Sequence, residues 1–348
     1  KRYFDPANGK MRIGWQQIDG KWYHFSESGA LQIGWFSDGG KFYYAGPDGT
    51  MQTGWLDDSG SLYYLNKDGS MQTRWLMLSG NWYFLGDDGV MEKGRQTVDS
   101  LNYYFGDDGV MRTGWQKLDG KWYFLGQSGV MKTGWAEDSG KWYYFDANGV
   151  MQNGWQQLGG NWYYLNGSGA MKTGWVQDSG KWYYFDANGI MQKSWQKIGG
   201  SWYYLNGSGA MKTGWIQPDG NWYYLGSDGV MRSGVTDVGG TLYALGGNGV
   251  LLSNTEIDYG EKHWSVGADG AMTEVPKNAP ASGNNESAEQ LTVSAGAKIG
   301  KAPKAESRAV LSAPAEETQA ELKVPTEEVP ALNVSAPSRS ASVGHAPG

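Results

Sequence analysis

Apolar residues recur along this chain in a short, fixed order rather than in long amphipathic runs. Aromatic clusters such as Lys-Trp-Tyr-Tyr-Phe at 141–145 alternate with polar segments ending in Asn-Gly or Asp-Gly pairs, and the cycle is 20 residues long. Glycine recurs every 20 residues from Gly9 to Gly249, and tyrosine from Tyr3 to Tyr243, without a miss. Methionine follows each of those glycines by two residues from Met11 to Met231, with Leu31 and Leu251 standing in. Self-similarity at such a period marks a repeat architecture in which each unit is one small supersecondary element.

Each unit reads as a β-hairpin. The aromatic run at 141–145 is strongly strand-forming. Asn148-Gly149 or Asp108-Gly109 tolerates positive φ and is expected to close the hairpin, with 150–155 as the return strand. Gly159-Gly160 or Asp119-Gly120 is expected to break the chain before the next hairpin. A lone two-stranded hairpin is marginal in water, so neighbours must stack. The expected fold is therefore all-β, a solenoid of stacked β-hairpins made of about 13 repeats over residues 1–272. A second order appears at 40 residues: segment 135–154 resembles 175–194, and 155–174 resembles 195–214. The register slips only at the end, where Gly249 and Gly270 are 21 residues apart and His263 falls in the tyrosine's place.

Composition sharpens this picture. With 55 glycines, 19 tryptophans and 39% hydrophobic residues, the apolar content is largely aromatic and predicts a shallow, repeated core. From residue 276 onward Phe, Tyr and Trp cease, and eight of the 11 prolines occur there. Residues 273–348 are expected to be a disordered Pro/Ala/Ser/Glu-rich tail or linker, with a transient helix at 315–323. The net charge is −7, and nearly all the acidity lies in the repeats, which disfavours nucleic acid and favours cationic ligands. There is no cysteine, and no stretch is long and apolar enough to span a membrane. Lys1 is not an initiator methionine and residues 1–10 align with the middle of a repeat, so a processed or excised chain is expected.

Strand alternation places Trp142 and Tyr144 on one face and Tyr143 on the other. Between stacked hairpins, a tryptophan pair seven apart can then meet the middle tyrosine of the next hairpin, a triplet at i, i+7 and i+28 such as Trp135, Trp142 and Tyr163. A methionine of the adjoining hairpin is placed to floor the pocket. Three electron-rich rings around a small void suit a quaternary ammonium, which donates no hydrogen bond and is held by ring quadrupoles. The competing reading makes the same rings a structural core, and the persistence of the middle tyrosines favours it for them.

The GW-x4-G-x-WYY-x4-G-x-M pattern resembles the choline-binding repeats of streptococcal surface proteins, across about residues 1–272. The resemblance implies choline or phosphocholine of teichoic and lipoteichoic acids as partner, held between consecutive hairpins by two tryptophans and a tyrosine. It implies no catalysis and no cofactor, and a place outside the cell on the bacterial wall. Carried over, the cages are Trp15, Trp22 and Tyr43; Trp35, Phe42 and Tyr63; and Trp75, Trp82 and Tyr103. They continue with Trp115, Trp122 and Tyr143; Trp135, Trp142 and Tyr163; and Trp155, Trp162 and Tyr183. The run ends with Trp175, Trp182 and Tyr203; Trp195, Trp202 and Tyr223; and Trp215, Trp222 and Tyr243. Trp55 with Leu62, Arg95 with Asn102, and Val235 with Leu242 depart from the pattern, which leaves nine expected cages at twelve junctions.

Other chemistry finds little support. The histidines (His24, His263, His345) are isolated from one another along the chain, and acidic pairs such as Asp87-Asp88 and Asp107-Asp108 precede turn glycines. Two alternatives stay open: a glucan- or carbohydrate-binding repeat, and a decoy that competes with other choline-binding wall proteins.

Overall fold

The structure is a computed structural model that describes residues 1–276. Of the expected tail, residues 273–275 belong to the last strand, Met272–Val275, and residues 277–348, with the expected helix at 315–323, lie outside the described residues. All regular structure among the described residues is β, in 27 short strands. They belong to two compact units, one containing Lys1–Asp138 and Tyr144–Gln152, the other Ser139–Tyr143 and the described residues from Asn153 to Pro276.

In the first unit, β1 (Gly14–Ile18) pairs antiparallel with β2 (Lys21–Phe25), and the same hairpin recurs every 20 residues to β11 (Gly114–Leu118) and β12 (Lys121–Leu125). The second unit repeats it from β15 (Gly154–Leu158) and β16 (Asn161–Leu165) to β23 (Gly234–Val238) and β24 (Thr241–Leu245). It ends in a three-stranded sheet of β25 (Thr255–Tyr259), β26 (Lys262–Val266) and β27 (Met272–Val275).

The hairpin phase differs from the sequence expectation. The two-residue turn is the one expected to separate hairpins: Asp119 and Gly120 both have positive φ (49° and 77°), as do Gly159 and Gly160 (56° and 82°). That combination defines the turn whose twist matches paired strands, so five residues pair on either side. At 106–109 only Gly109 is left-handed (φ 73°). Its N–H donates to the Gly106 carbonyl at 2.8 Å, and the reversal is followed by a single bridge, Phe105 to Met111. The segment expected as a return strand is thus a one-bridge contact, and the next strand starts at another left-handed glycine, Gly114 (φ 70°).

The face assignment holds. Trp155 pairs with Tyr164 and Gln157 with Trp162, which leaves Tyr163 and Leu165 on the opposite face. That opposite face is the core. Leu65, Leu85, Phe105, Phe185, Leu205, Leu225 and Leu245, each the last residue of its strand, are fully buried. The middle tyrosines Tyr103, Tyr163, Tyr203 and Tyr243 are buried beside them. Successive hairpins are also tied through the backbone: the Met191 N–H donates to the Trp162 carbonyl at 2.8 Å, and the Met211 N–H to Trp182 at 2.7 Å. In the last sheet the extra residue shifts the register, so Trp264, opposite Ile257, takes the middle-tyrosine place rather than His263.

Candidate ligand-binding site: aromatic corners between hairpins

Because the tryptophan face of one hairpin meets the tyrosine face of the next, a junction within a unit that keeps both tryptophans gathers three rings from two hairpins. At Trp155 the ring of Trp162 stands 6.2 Å away at 78°, and Tyr183 of the next hairpin contacts Trp155 edge-on at 4.7 Å. The same corner recurs with little variation. The two indoles are 6.5 Å apart at Trp15 and Trp22, 6.0 Å at Trp75 and Trp82, and 6.4 Å at both Trp175 with Trp182 and Trp195 with Trp202. The tyrosine closes to 4.8 Å for Trp15 with Tyr43, 5.0 Å for Trp75 with Tyr103, and 4.9 Å for Trp175 with Tyr203. Tyr223 lies 4.8 Å from Trp195, and Tyr243 4.9 Å from Trp215, which stands 6.5 Å from Trp222.

Six triplets are therefore assembled within single units. Trp115 and Trp122 form their pair at 6.3 Å in the first unit, and Tyr143 falls in the second. Trp135 likewise belongs to the first unit, and Trp142 and Tyr163 to the second. Trp35 meets Tyr63 at 4.8 Å, and Phe42 stands 53% exposed where the second indole would be.

The walls differ in burial in a way that separates core from cage. Tyr203 and Tyr243 are buried, but Trp122 and Trp202 are each 41% exposed. Tyr203 and Tyr243 thus belong to the core as well as to a corner, Trp122 and Trp202 are exposed, and Trp22, Trp82, Trp162, Trp182 and Trp222 are half-buried. Burial pushes the phenols of Tyr43, Tyr103, Tyr163 and Tyr243 above the ordinary tyrosine range. For Tyr223, burial and a 2.8 Å hydrogen bond donated to Asp219 push the pKa up to about 12. These rings stay neutral, electron-rich phenols at physiological pH.

The methionine floor is present. Met191 is buried in one cluster with Val176 and Phe185, against which Trp155, Trp162 and Tyr183 pack, and a Cβ added to Gly209 would overlap its sulfur. Gly189 meets Met171 in the same way. The unbroken glycine column therefore serves both a left-handed turn and the seat of the methionine.

Two features of the site escaped the sequence reading. A fourth ring backs the first tryptophan across its own strand pair, as Tyr164 does for Trp155 at 5.2 Å and Tyr204 for Trp195 at 5.2 Å. At some junctions a carboxylate 23 residues downstream accepts the indole N–H: Trp15 to Asp38 at 3.0 Å, Trp35 to Asp58 at 2.9 Å, Trp115 to Asp138 at 3.1 Å and Trp155 to Asp178 at 3.2 Å. Where Ile198 or Val238 occupies that position, the Nε1–H of Trp175 or Trp215 is buried with no acceptor among the described residues. The signal was an aspartate 23 residues after the tryptophan, which recurs irregularly among the repeats, at 38, 58, 138 and 178.

The departing junctions keep the fold without the corner. Trp55 still meets Tyr83 at 5.2 Å, and Leu62 joins the aliphatic cluster of Leu76, Leu85 and Met91. Val235, Leu242 and Trp264 pack around Ala244, Ile257 and Met272. No grouping of His, Asp and Glu suited to a metal occurs among the described residues.

A stack of hairpins with a three-ring corner at its junctions defines a repeat protein built to bind small cations. Family comparison gives the class its name: a choline-binding repeat matches residues 92–133, 132–173 and 172–214. A putative cell wall binding repeat matches 13–31, 33–51, 53–71, 73–91 and 213–231. Among solved structures, choline binding protein F from Streptococcus pneumoniae is 34% identical, with 75% of this chain and 98% of that chain covered at a TM-score of 0.50. The same protein in the presence of a peptidoglycan analogue (tetrasaccharide-pentapeptide) is matched at 32% identity, 75% and 98% coverage and a TM-score of 0.51. CbpJ from Streptococcus pneumoniae TIGR4 is 33% identical, with 72% of this chain and 99% of that chain covered at a TM-score of 0.45. A comparison with curated proteins found no match. The chain belongs to the choline-binding repeat family.

Proposed function

We propose that the chain binds choline in the corners between consecutive hairpins and thereby anchors non-covalently to choline-decorated cell-wall polymers. The observation that carries this reading is the near-constant corner, two indoles 6.0–6.5 Å apart and nearly perpendicular with a tyrosine edge-on beside them. A trimethylammonium group needs apolar contact and negative ring faces on several sides, and no hydrogen-bond partner. With roughly 1 kcal/mol from each desolvated ring the sites are individually weak, near the millimolar range. A polymer that engages several of them at once is held far more tightly through effective concentration.

In this reading the nine triplets named from the sequence are the binding residues, residues 1–272 are the wall-binding module, and the chain acts by binding, without catalysis of its own. Cell-wall association follows from the family, and the extracellular surface is the place where such polymers are met. The test is retention on a resin bearing tertiary or quaternary amines, with elution by free choline at unchanged ionic strength. Elution by glucan oligomers and not by choline would overturn the reading in favour of a carbohydrate-binding repeat.

A further inference from the structure

One junction carries its own cation. Arg95, on β9 (Gly94–Val98), stands where the first tryptophan stands elsewhere, and Asn102, on β10 (Leu101–Phe105), stands for the second. The guanidinium carbon of Arg95 lies 4.8 Å over the ring of Tyr123. Its Nη1 donates to the Tyr123 hydroxyl at 3.3 Å, and its Nη2 to the Met131 sulfur at 3.3 Å and the Asn148 carbonyl at 3.0 Å. Tyr123 and Met131 are both buried. They sit 28 and 36 residues after Arg95, the spacing at which Tyr183 and Met191 supply wall and floor to the Trp155 corner. The side-chain oxygen of Asn102 accepts from the hydroxyl of Thr97, its cross-strand partner, at 2.8 Å. The backbone tie of the junction is intact, with the Met131 N–H donating to the Asn102 carbonyl at 2.8 Å.

We infer that Arg95 is a tethered guest: its guanidinium occupies the wall and floor that a free cation uses at the other junctions, closing this joint of the first unit permanently and excluding choline from it. The inference rests on reading the equivalent corners as cation sites. The physical case is direct. A guanidinium is weakly hydrated, stacks on aromatic faces and donates in fixed directions, so it satisfies the phenol oxygen and the Asn148 carbonyl while it covers the ring. Being covalently attached, it carries no translational cost of association and holds the two hairpins together at any choline concentration. The choline-filled joints stabilise the stack only in proportion to free ligand. A repeat array with one permanently closed joint keeps its register at that point when ligand is absent.

The test is made in choline-free buffer with the whole chain. Arg95→Ala is expected to lower the melting temperature by about 2–4 °C, the shift expected for loss of roughly one kcal/mol in a domain of this size. Arg95→Lys is expected to lose less than Arg95→Ala. Millimolar methylguanidinium is expected to restore part of the loss in Arg95→Ala and to raise its melting temperature more than that of the wild type, because the place of the guanidinium over Tyr123 is vacant only in the variant. If Arg95→Ala does not fold, Arg95→Met, which keeps the stem and loses the charge, takes its place in the same rescue. Equal stability of Arg95→Met and wild type, or an equal response of variant and wild type to methylguanidinium, would overturn the inference. A second arm counts choline by calorimetry: Arg95→Trp with Asn102→Trp is expected to add one site. A wild type that binds no choline would defeat the functional reading and leave the rescue result standing by itself.

Discussion

The indole N–H of Trp155 donates to the carboxylate of Asp178, 23 residues downstream on the next hairpin, at 3.2 Å. The other oxygen of Asp178 accepts from the Tyr164 hydroxyl at 3.3 Å, so one side chain fixes both the first cage wall and the ring that backs it. Two solutions to one problem coexist in the chain. Trp155 has a polar partner, whereas Trp175 has the buried Ile198 at the equivalent position and its N–H is buried without an acceptor among the described residues. The polar solution holds the indole by a directed bond, and the apolar one by packing.

Asp178→Ala is therefore expected to cost about 1 kcal/mol of stability, the typical net value of a partly buried hydrogen bond, read from urea unfolding. Asp178→Asn keeps an acceptor for the indole and removes the charge. It is expected to retain most of the stability and to weaken choline at that junction a few-fold at low salt. An Asp178→Asn protein with unchanged affinity at low and high salt would show that the carboxylate only positions the ring.

Much of this site was legible because the repeat does the alignment. The triplet at i, i+7 and i+28 followed from strand alternation plus stacking, and Trp155, Trp162 and Tyr183 meet as that arithmetic requires. The hairpin phase was not legible from the Asn-Gly and Asp-Gly signals, because both reversals of the repeat contain a left-handed glycine. What separates them is whether the residue before the glycine is also left-handed, as Asp119 is and Asp108 is not, and the same Asp-Gly pair stands at both. The Trp–Asp bond was missed because its partners lie on different hairpins and the aspartate recurs irregularly. The place of Trp264 was missed because one inserted residue shifts which side chain faces the core.

Trp202→Leu is expected to lower choline stoichiometry by one and to leave the fold intact. Trp202 is 41% exposed, so its loss opens little core. Leu62 already occupies the equivalent place, and there the backbone tie survives, with the Met91 N–H donating to the Leu62 carbonyl at 2.7 Å. Calorimetry against choline, with circular dichroism as the fold control, gives the answer; undiminished stoichiometry would assign this ring to packing alone.

The last sheet carries a pH dependence of definite sign. His263 bonds Asp258 through Nδ1 at 2.8 Å and Glu256 through Nε2 at 3.2 Å. These carboxylates, Asp258 first, raise its pKa above the ordinary histidine value. A group whose pKa is higher folded than unfolded contributes stability that is complete below the unfolded value, near 6.5, and that is lost as pH rises through the folded value. Unfolding of the terminal sheet, followed by hydrogen exchange on β25–β27, is expected to become easier as pH is raised from 6 to 8. His263→Asn is expected to remove that slope, and a slope unchanged by the substitution would place its origin elsewhere.

Ser194 opens β19 (Ser194–Ile198) at φ 65°, in a column where Gly174 and Gly214 have φ 69° and 74°. The left-handed region costs an L-residue with a Cβ roughly 1 kcal/mol or more, and a serine side chain offers little to offset it. A Cβ at the neighbouring glycines Gly174 and Gly214 would meet nothing within 4 Å, so the cost at this column is conformational and not a clash. Ser194→Gly is thus expected to relieve the strain at no loss of packing, the reverse of the usual penalty for glycine in ordered structure. The gain is opposed by the greater freedom of glycine in the unfolded chain, about 0.5–1 kcal/mol, so the net stabilisation is expected to be a few tenths of a kcal/mol. Gly174→Ser, made as the reciprocal change, is expected to be destabilising by a similar margin. Paired urea curves on the two variants measure both signs, and a destabilised Ser194→Gly would mean that the serine hydroxyl holds something the backbone argument leaves out.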